Sequence, residues 1–275
     1  KRQPPREPSQ GDTMSQQPQP PSSSEMETDY RQPPPVPRQQ VAVQTPEGRP
    51  VVSYTLLAIT VLVFLAQMAS QQLLGTDLPA ALGMKVNDLI AEGQVWRLIT
   101  PMFLHGSILH IGFNMYALFI LGPGLERYFG HGRFIVLYFL SGFAGNVLSF
   151  MFSPAPSLGS STAIFGLLGA QGVFVFLNRE IFGGFARRAL TNVIWIAAVN
   201  LLIGLTPGID NWGHLGGLIG GTIFTWFGGP LLVLKGVSPS LTVVDKRETR
   251  DWVLAAIGDV ALFTFFAALT LILRY

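Results

Sequence analysis

Gly159-Ser160-Ser161-Thr162-Ala163-Ile164-Phe165-Gly166 leads a small, polar turn straight into an uncharged apolar run that continues to Leu177. Such a run, opened by glycine and serines, reads as a helix entering an apolar interior. A serine at the mouth of a buried helix is a place to do chemistry, provided that a base lies at the same depth. The chain has only four histidines. One of them, in Trp212-Gly213-His214-Leu215-Gly216-Gly217, opens another apolar run. The fold and the function both turn on whether those two mouths meet.

Around these stretches the composition is that of a polytopic membrane protein: 49% of residues are hydrophobic and 12% are charged. There is no cysteine, which excludes disulfides, thiolate catalysis and a cysteine-bound metal. No metal, cofactor or nucleic-acid partner is expected, and the serine gains as a candidate nucleophile by elimination. The formal net charge of +2 says little, because in a membrane protein the placement of Lys and Arg among the loops matters more than their sum.

Residues 1–50 are rich in Pro, Gln and Ser, as in Pro33-Pro34-Pro35, and read as a disordered cytoplasmic tail that cannot bury enough apolar surface to fold. They lack the basic, apolar and small-residue regions of a signal peptide. The first residue is Lys, not Met, so the natural start is expected to lie upstream. Seven apolar stretches follow, at about 51–74, 109–121, 134–152, 162–177, 189–205, 212–234 and 252–273. An N-in, C-out arrangement puts 15 of the Lys and Arg residues inside and 3 outside. The segment 236–251 then reads as a cytoplasmic linker, and 252–275 as an additional C-terminal transmembrane helix.

In this topology the second, fourth and sixth stretches run inward from the outer face. His110 and Asn114 open the second, Ser161 the fourth and His214 the sixth, so these polar residues share one layer. Polar side chains inside a membrane are costly and by default mark function, although each could instead hydrogen-bond locally between helices. The fourth stretch, Thr162 to Leu177, has 16 residues. At 1.5 Å per residue it spans about 24 Å, several Å short of a hydrocarbon core of about 30 Å. With its inner end at the cytoplasmic interface near Arg179, its outer end lies below the outer surface. The loop with Pro154, Pro156 and Gly159 must therefore dip into the protein, which implies a submerged site open to outside water.

Ser161 with His214 fits a nucleophile activated by a neutral imidazole. The nearest acid, Asp210, reads as a solvated loop residue, which favours a dyad over a triad. Phe165 lies one turn after Ser161 and is placed to pack against His214, with plain core packing as the alternative. His110 and Asn114, spaced i and i+4, share a helix face and with the Ser161 backbone N–H could supply donors to an oxyanion. Gly213, Gly217 and Gly221 form one small-residue row and Gly216 with Gly220 a second, so that helices can approach closely there.

These residues resemble the rhomboid family of intramembrane serine proteases. The matching pieces are Trp96-Arg97, His110-x-x-x-Asn114, the Gly-x-Ser turn at Gly159 to Ser161, and His214 followed by Gly216, Gly217 and Gly220; together they cover about residues 51–235. The resemblance implies an all-α polytopic bundle, with a six-helix core at 51–235 and one further helix. It makes Ser161 the nucleophile, His214 the general base, and His110 and Asn114 the oxyanion side chains. Glu126, in Gly124-Leu125-Glu126-Arg127, matches a position that in the family helps to anchor the first outer loop. One departure is Thr162, which stands where the family usually has glycine.

The expected activity is cleavage of single-span membrane proteins near the outer face, with transmembrane substrates and the lipid bilayer as partners. A rhomboid-like protein that binds and escorts membrane helices without cutting them is the alternative. A transporter would need inverted repeats that the chain does not display. The segment 75–108 reads as partly amphipathic structure at the outer interface, and His105 and His131 as interface residues. Asp259, inside the last stretch, is expected either to pair with a polar group such as Asn192 or to stay protonated. The cysteine-free composition suits a bacterial plasma membrane.

Overall fold

The computed structural model describes residues 42–44, 48–237 and 240–275. The expected disordered tail therefore lies mostly outside the described residues. In chain order the elements are β1 (Ala42–Gln44), α1 (Val51–Leu74), α2 (Leu78–Gly83), α3 (Asn87–Ala91), two 3-10 turns (Val95–Leu98 and Thr100–Phe103), α4 (Ile108–Phe129), α5 (His131–Phe152), α6 (Ser161–Leu177), α7 (Arg179–Phe182), α8 (Gly184–Ile203), α9 (Asn211–Gly228), β2 (Leu232–Val237), β3 (Ser240–Asp245) and α10 (Thr249–Arg274). Each of the seven apolar stretches lies largely within one of the long helices α1, α4, α5, α6, α8, α9 and α10. Five of those, α1, α4, α5, α8 and α10, are long and apolar enough to cross a membrane, while α6 is apolar but shorter. The protein is an integral, multi-pass membrane protein.

α5 and α6 form the centre. Both are buried along most of their length, whereas α8 and α10 are mostly exposed along theirs. The core runs through Leu118, Phe134, Leu137, Tyr138, Leu167 and Phe224, each fully buried. The two glycine rows of α9 face different neighbours. A Cβ at Gly217 or Gly221 would collide with the backbone of Thr162 or Gly166 on α6, and one at Gly216 would lie 2.7 Å from Ala144 O on α5. α9 is thereby wedged into the groove between α5 and α6, which no larger side chain would permit.

Three parts of the chain depart from the expected layout. The sixth stretch does not stay helical to 234: Gly228-Gly229-Pro230 ends α9, because proline cannot continue the backbone ladder. The chain then forms the antiparallel pair β2–β3, with Leu232 opposite Asp245, so most of the expected linker is a hairpin. β1 pairs in parallel with β3, from Ala42 opposite Ser240 to Gln44 opposite Thr242, within the span expected to be a tail. The segment 75–108 is amphipathic, with Leu78, Leu82 and Val95 exposed, but its other face is built more deeply into the core than a surface-lying segment would be. Ile90 (1% exposed) packs with Leu148 and Phe150 of α5, and Met102 (0%) lies in the main core.

Candidate active site

The turn before α6 is shaped by Gly159, whose φ of 137° lies in the region open to glycine. A Cβ there would also come within 2.8 Å of His110 Nε2, so the turn can close on that ring only with glycine. The Gly159 N–H donates to Pro101 O (2.9 Å). Chain exposure falls from Pro154–Pro156 on the surface to buried Gly159 and Ser160, the dip expected of this loop.

Ser161 begins α6 and His214 sits in the first turn of α9. The glycine-lined contact between these helices brings Ser161 Oγ to 2.9 Å from His214 Nε2. The two mouths meet. The His214 ring stacks on Phe165, with centroids 4.3 Å apart and planes within 11°. Its Nδ1 is buried and has no partner among the described residues. With the Ser161 hydroxyl donating to Nε2, the proton of the neutral ring is assigned to Nδ1.

Asp210 differs from the expectation of a solvated loop acid. It caps α9, accepting from the Gly213 N–H (2.9 Å), and its other carboxylate oxygen accepts from the Ser149 hydroxyl. Both oxygens are engaged away from His214 Nδ1. The sequence DNWG before an apolar run carried the cap signal.

His110 and Asn114, on one face of α4, line the same cavity as Ser161, Phe165 and His214, a space of about 590 Å³. One Asn114 N–H donates to His110 O (2.9 Å), which leaves its second amide hydrogen free to turn into the cavity. His110 Nδ1 faces the Gly106 N–H at 3.5 Å, and Nε2 faces the Gly159 turn.

Trp96 and Arg97 act at a distance from the cavity. The Trp96 indole donates to Leu82 O (3.0 Å); Arg97 donates to Met84 O (2.7 Å), Ala81 O (2.9 Å) and Gln94 Oε1 (2.8 Å), which ties off the carbonyl end of α2. Glu126 does not hold the outer segment. Its carboxylate takes the Val52 N–H (2.8 Å), the Ser53 N–H (2.7 Å) and the Ser53 hydroxyl (2.6 Å), so it closes the N-terminal end of α1 from the far end of α4. His131, expected at an interface, pairs with the same carboxylate. Gly216, Gly217 and Gly220 are the close-approach positions already described, with Gly220 against Ala144 Cβ.

Thr162 is accommodated by glycines on both sides: a Cβ at Gly145 would lie 2.6 Å from Thr162 Cβ, and one at Gly213 would lie 3.0 Å from Thr162 Cγ2. Asp259 does not pair with Asn192. It is 2% exposed and neither of its oxygens has a partner among the described residues.

Two residues were missed by pattern. His105, assigned to an interface, is 1% exposed, and its Nε2 lies 3.2 Å from Ser160 Oγ and 3.4 Å from Ser160 N. Burial, with His110 beside it, pushes its ring down to about 3, so it is neutral. Lys85 is fully buried, and its ammonium donates to Ser149 O (3.2 Å), Ser153 O (2.7 Å) and Ala155 O (2.9 Å) at the end of α5. Lys85 stands among uncharged neighbours between Asp77 and Asp88, with no pattern to mark it as buried.

A multi-pass helical protein that joins a serine and a histidine at the mouths of two glycine-packed helices belongs to the class of membrane proteins with a hydrolase-like polar centre. Residues 92–231, half of the chain, match the Rhomboid domain, and the chain belongs to the rhomboid family. It is 43% identical over 175 residues to Rhomboid protease GluP of Bacillus subtilis (strain 168), which covers 63% of this chain and 34% of that one. RHOMBOID-like protein 9, chloroplastic, of Arabidopsis thaliana is 37% identical over 159 residues, 58% of this chain and 37% of that one. RHOMBOID-like protein 7 of the same plant is 32% identical over 191 residues, 66% of this chain and 59% of that one. The chain thus spans between about a third and three fifths of the length of these relatives.

Proposed function

We propose that the protein is an intramembrane serine endopeptidase that cuts transmembrane segments of single-span proteins near the outer face of the membrane. The observation that carries this reading is the 2.9 Å hydrogen bond between Ser161 and His214 within a cavity that His110 and Asn114 also line. In this reading the Ser161 hydroxyl gives its proton to His214 Nε2 as its oxygen attacks the scissile carbonyl. His110, Asn114 and the Ser161 backbone N–H donate to the oxyanion. The imidazolium lies flat against Phe165, whose ring face favours a cation. His214 then passes the proton to the leaving amine, and water, activated by the same ring, releases the acyl group from Ser161.

A helical substrate shields its amides in its own hydrogen bonds, so a segment with small or helix-breaking residues near the cut is the better substrate. The surrounding architecture is a six-helix core formed by α1, α4, α5, α6, α8 and α9, with α10 added, N-in and C-out. A bacterial plasma membrane suits the cysteine-free chain and the Bacillus subtilis relative.

The test is cleavage of a fluorogenic transmembrane peptide by detergent-purified protein beside Ser161→Ala and His214→Ala variants of equal thermal stability. Each substitution is expected to lower kcat at least about a thousandfold. A parent protein that binds such peptides without cutting them would defeat the protease reading in favour of a helix-binding rhomboid relative.

A further inference from the structure

The glycine faces of α9 set how closely it approaches α5 and α6, but they carry no side chains to stop it sliding along its own axis. Buried Phe224 anchors the far half of α9, and the end that carries His214 needs an anchor of its own. We infer that Lys85, Ser149 and Asp210 form a positioning unit that fixes this axial register, an inference that rests on the proteolytic reading of the Ser161–His214 pair.

Ser149 is the joint. Its backbone carbonyl, at the end of α5, accepts from the buried Lys85 ammonium (3.2 Å), while its hydroxyl donates to the Asp210 carboxylate. The other oxygen of Asp210 holds the Gly213 N–H (2.9 Å), and His214 is the next residue. The start of α9 is thereby pinned to the end of α5, one helical turn before the imidazole. Lys85 also reaches the other partner. Its N–H donates to Ser157 O (2.9 Å) and its carbonyl accepts from the Ser157 N–H (3.1 Å), four residues before Ser161. Both members of the pair are thus referenced to one residue of the 75–108 segment. The charges are matched as well: burial pushes Lys85 down to about 8, and the negative charge of Asp210 acts against that push. A cation and an anion that flank the same serine, each bound to the end of a helix, suit a register device, since a shift of α9 by a fraction of a turn would break both ends at once.

Asp210 borders the cavity, but neither it nor Lys85 nor Ser149 bonds to the Ser161 hydroxyl or to the His214 ring; they act through the helix that carries the base. The test uses the full chain in detergent, with a fluorogenic transmembrane peptide as substrate and a fluorophosphonate to count reactive Ser161. Parent, Ser149→Ala, Asp210→Asn and the double variant are compared. Asparagine caps a helix as well as aspartate, so Asp210→Asn keeps the cap and takes the negative charge out of the link to Ser149. Per titrated site, kcat is expected to fall about tenfold in each single variant with KM changed by less than about twofold, since misplacing a base by part of an ångström costs rate rather than binding. The double variant is expected to be no worse than the worse single, because both changes cut one path. Losses that add in the double variant, that follow the number of titratable sites with kcat per site unchanged, or that are absent would overturn the unit. If Asp210→Asn does not fold, Ser149→Ala, which removes one hydroxyl, decides by the same kcat criterion. A parent that neither cuts peptide nor takes the fluorophosphonate overturns the proteolytic reading itself, and the unit with it. An active parent with indifferent variants overturns the unit alone.

Discussion

His105 lies 1% exposed behind the serine turn, its Nε2 directed at both the hydroxyl and the N–H of Ser160. Because its folded value, about 3, is below the ordinary 6.5, the unfolded chain takes up a proton that the folded chain refuses. The stabilisation is fully present above pH 6.5 and is lost as pH falls from there towards 3. Thermal unfolding in detergent is therefore expected to drop in temperature across that window. His105→Asn is expected to unfold more readily at pH 7 and to show a flatter acid slope, and an unchanged slope would remove His105 from the account. Glu126 makes a related point about reach: four hydrogen bonds, three to the start of α1 and one to His131, engage a carboxylate that a local motif had assigned elsewhere. Nothing within ten residues of Glu126 announces Ser53 as its partner. A motif locates a residue, and the packing names its contact.

Helices α5, α6 and α9 form a unit in which space is exchanged between neighbours. Thr162 occupies a position where a glycine was expected, and Gly145 on α5 and Gly213 on α9 leave the room it needs. Gly145→Ala would set a methyl 2.6 Å from both Gly213 O and Thr162 Cβ, and is expected to cost about 2 kcal/mol in an unfolding titration. Adding Thr162→Gly is expected to recover part of that cost and not all of it, because the Gly213 carbonyl still blocks the methyl. Purely additive effects would show that the two positions do not share the space. The glycine rows of α9 were legible as a spacing, since i and i+4 share a helix face. Which row faced α5 and which faced α6 was not, because either choice satisfies the same pattern.

For the whole molecule, the alternate ends of the helices gather into two groups. One holds the contacts of Glu126 with Ser53, Arg133 with Asp245, and Asn178 with Pro230 and Leu232; the other holds Lys85, Ser149, Asp210 and the serine turn. In the proposed N-in, C-out orientation, which rests on the charge asymmetry among loops, the first group lies inside. The cysteine-free chain makes this testable without background: Glu92→Cys is expected to react with a membrane-impermeant maleimide on intact cells, and Arg250→Cys only after lysis. The reverse pattern would invert the topology and with it the face at which substrates are cut.

The sequence by itself determined what is local or periodic: seven apolar stretches, the short reach of α6, the glycine rows of α9, and the shared layer of Ser161, His214, His110 and Asn114. Helix period, apolar length and the cost of burying a polar group all act within a few neighbouring residues, so a single chain displays them. Only the tertiary structure decided which groups meet. Ser161 and His214 are 53 positions apart, Lys85 and Ser149 64, and Glu126 and Ser53 73. A lone lysine, a histidine without a pattern and an aspartate before a helix look alike whether they end in water or against a carbonyl. Their roles follow from the close packing of glycine-faced helices, which brings those distant groups within hydrogen-bond reach, where buried polar groups find their partners.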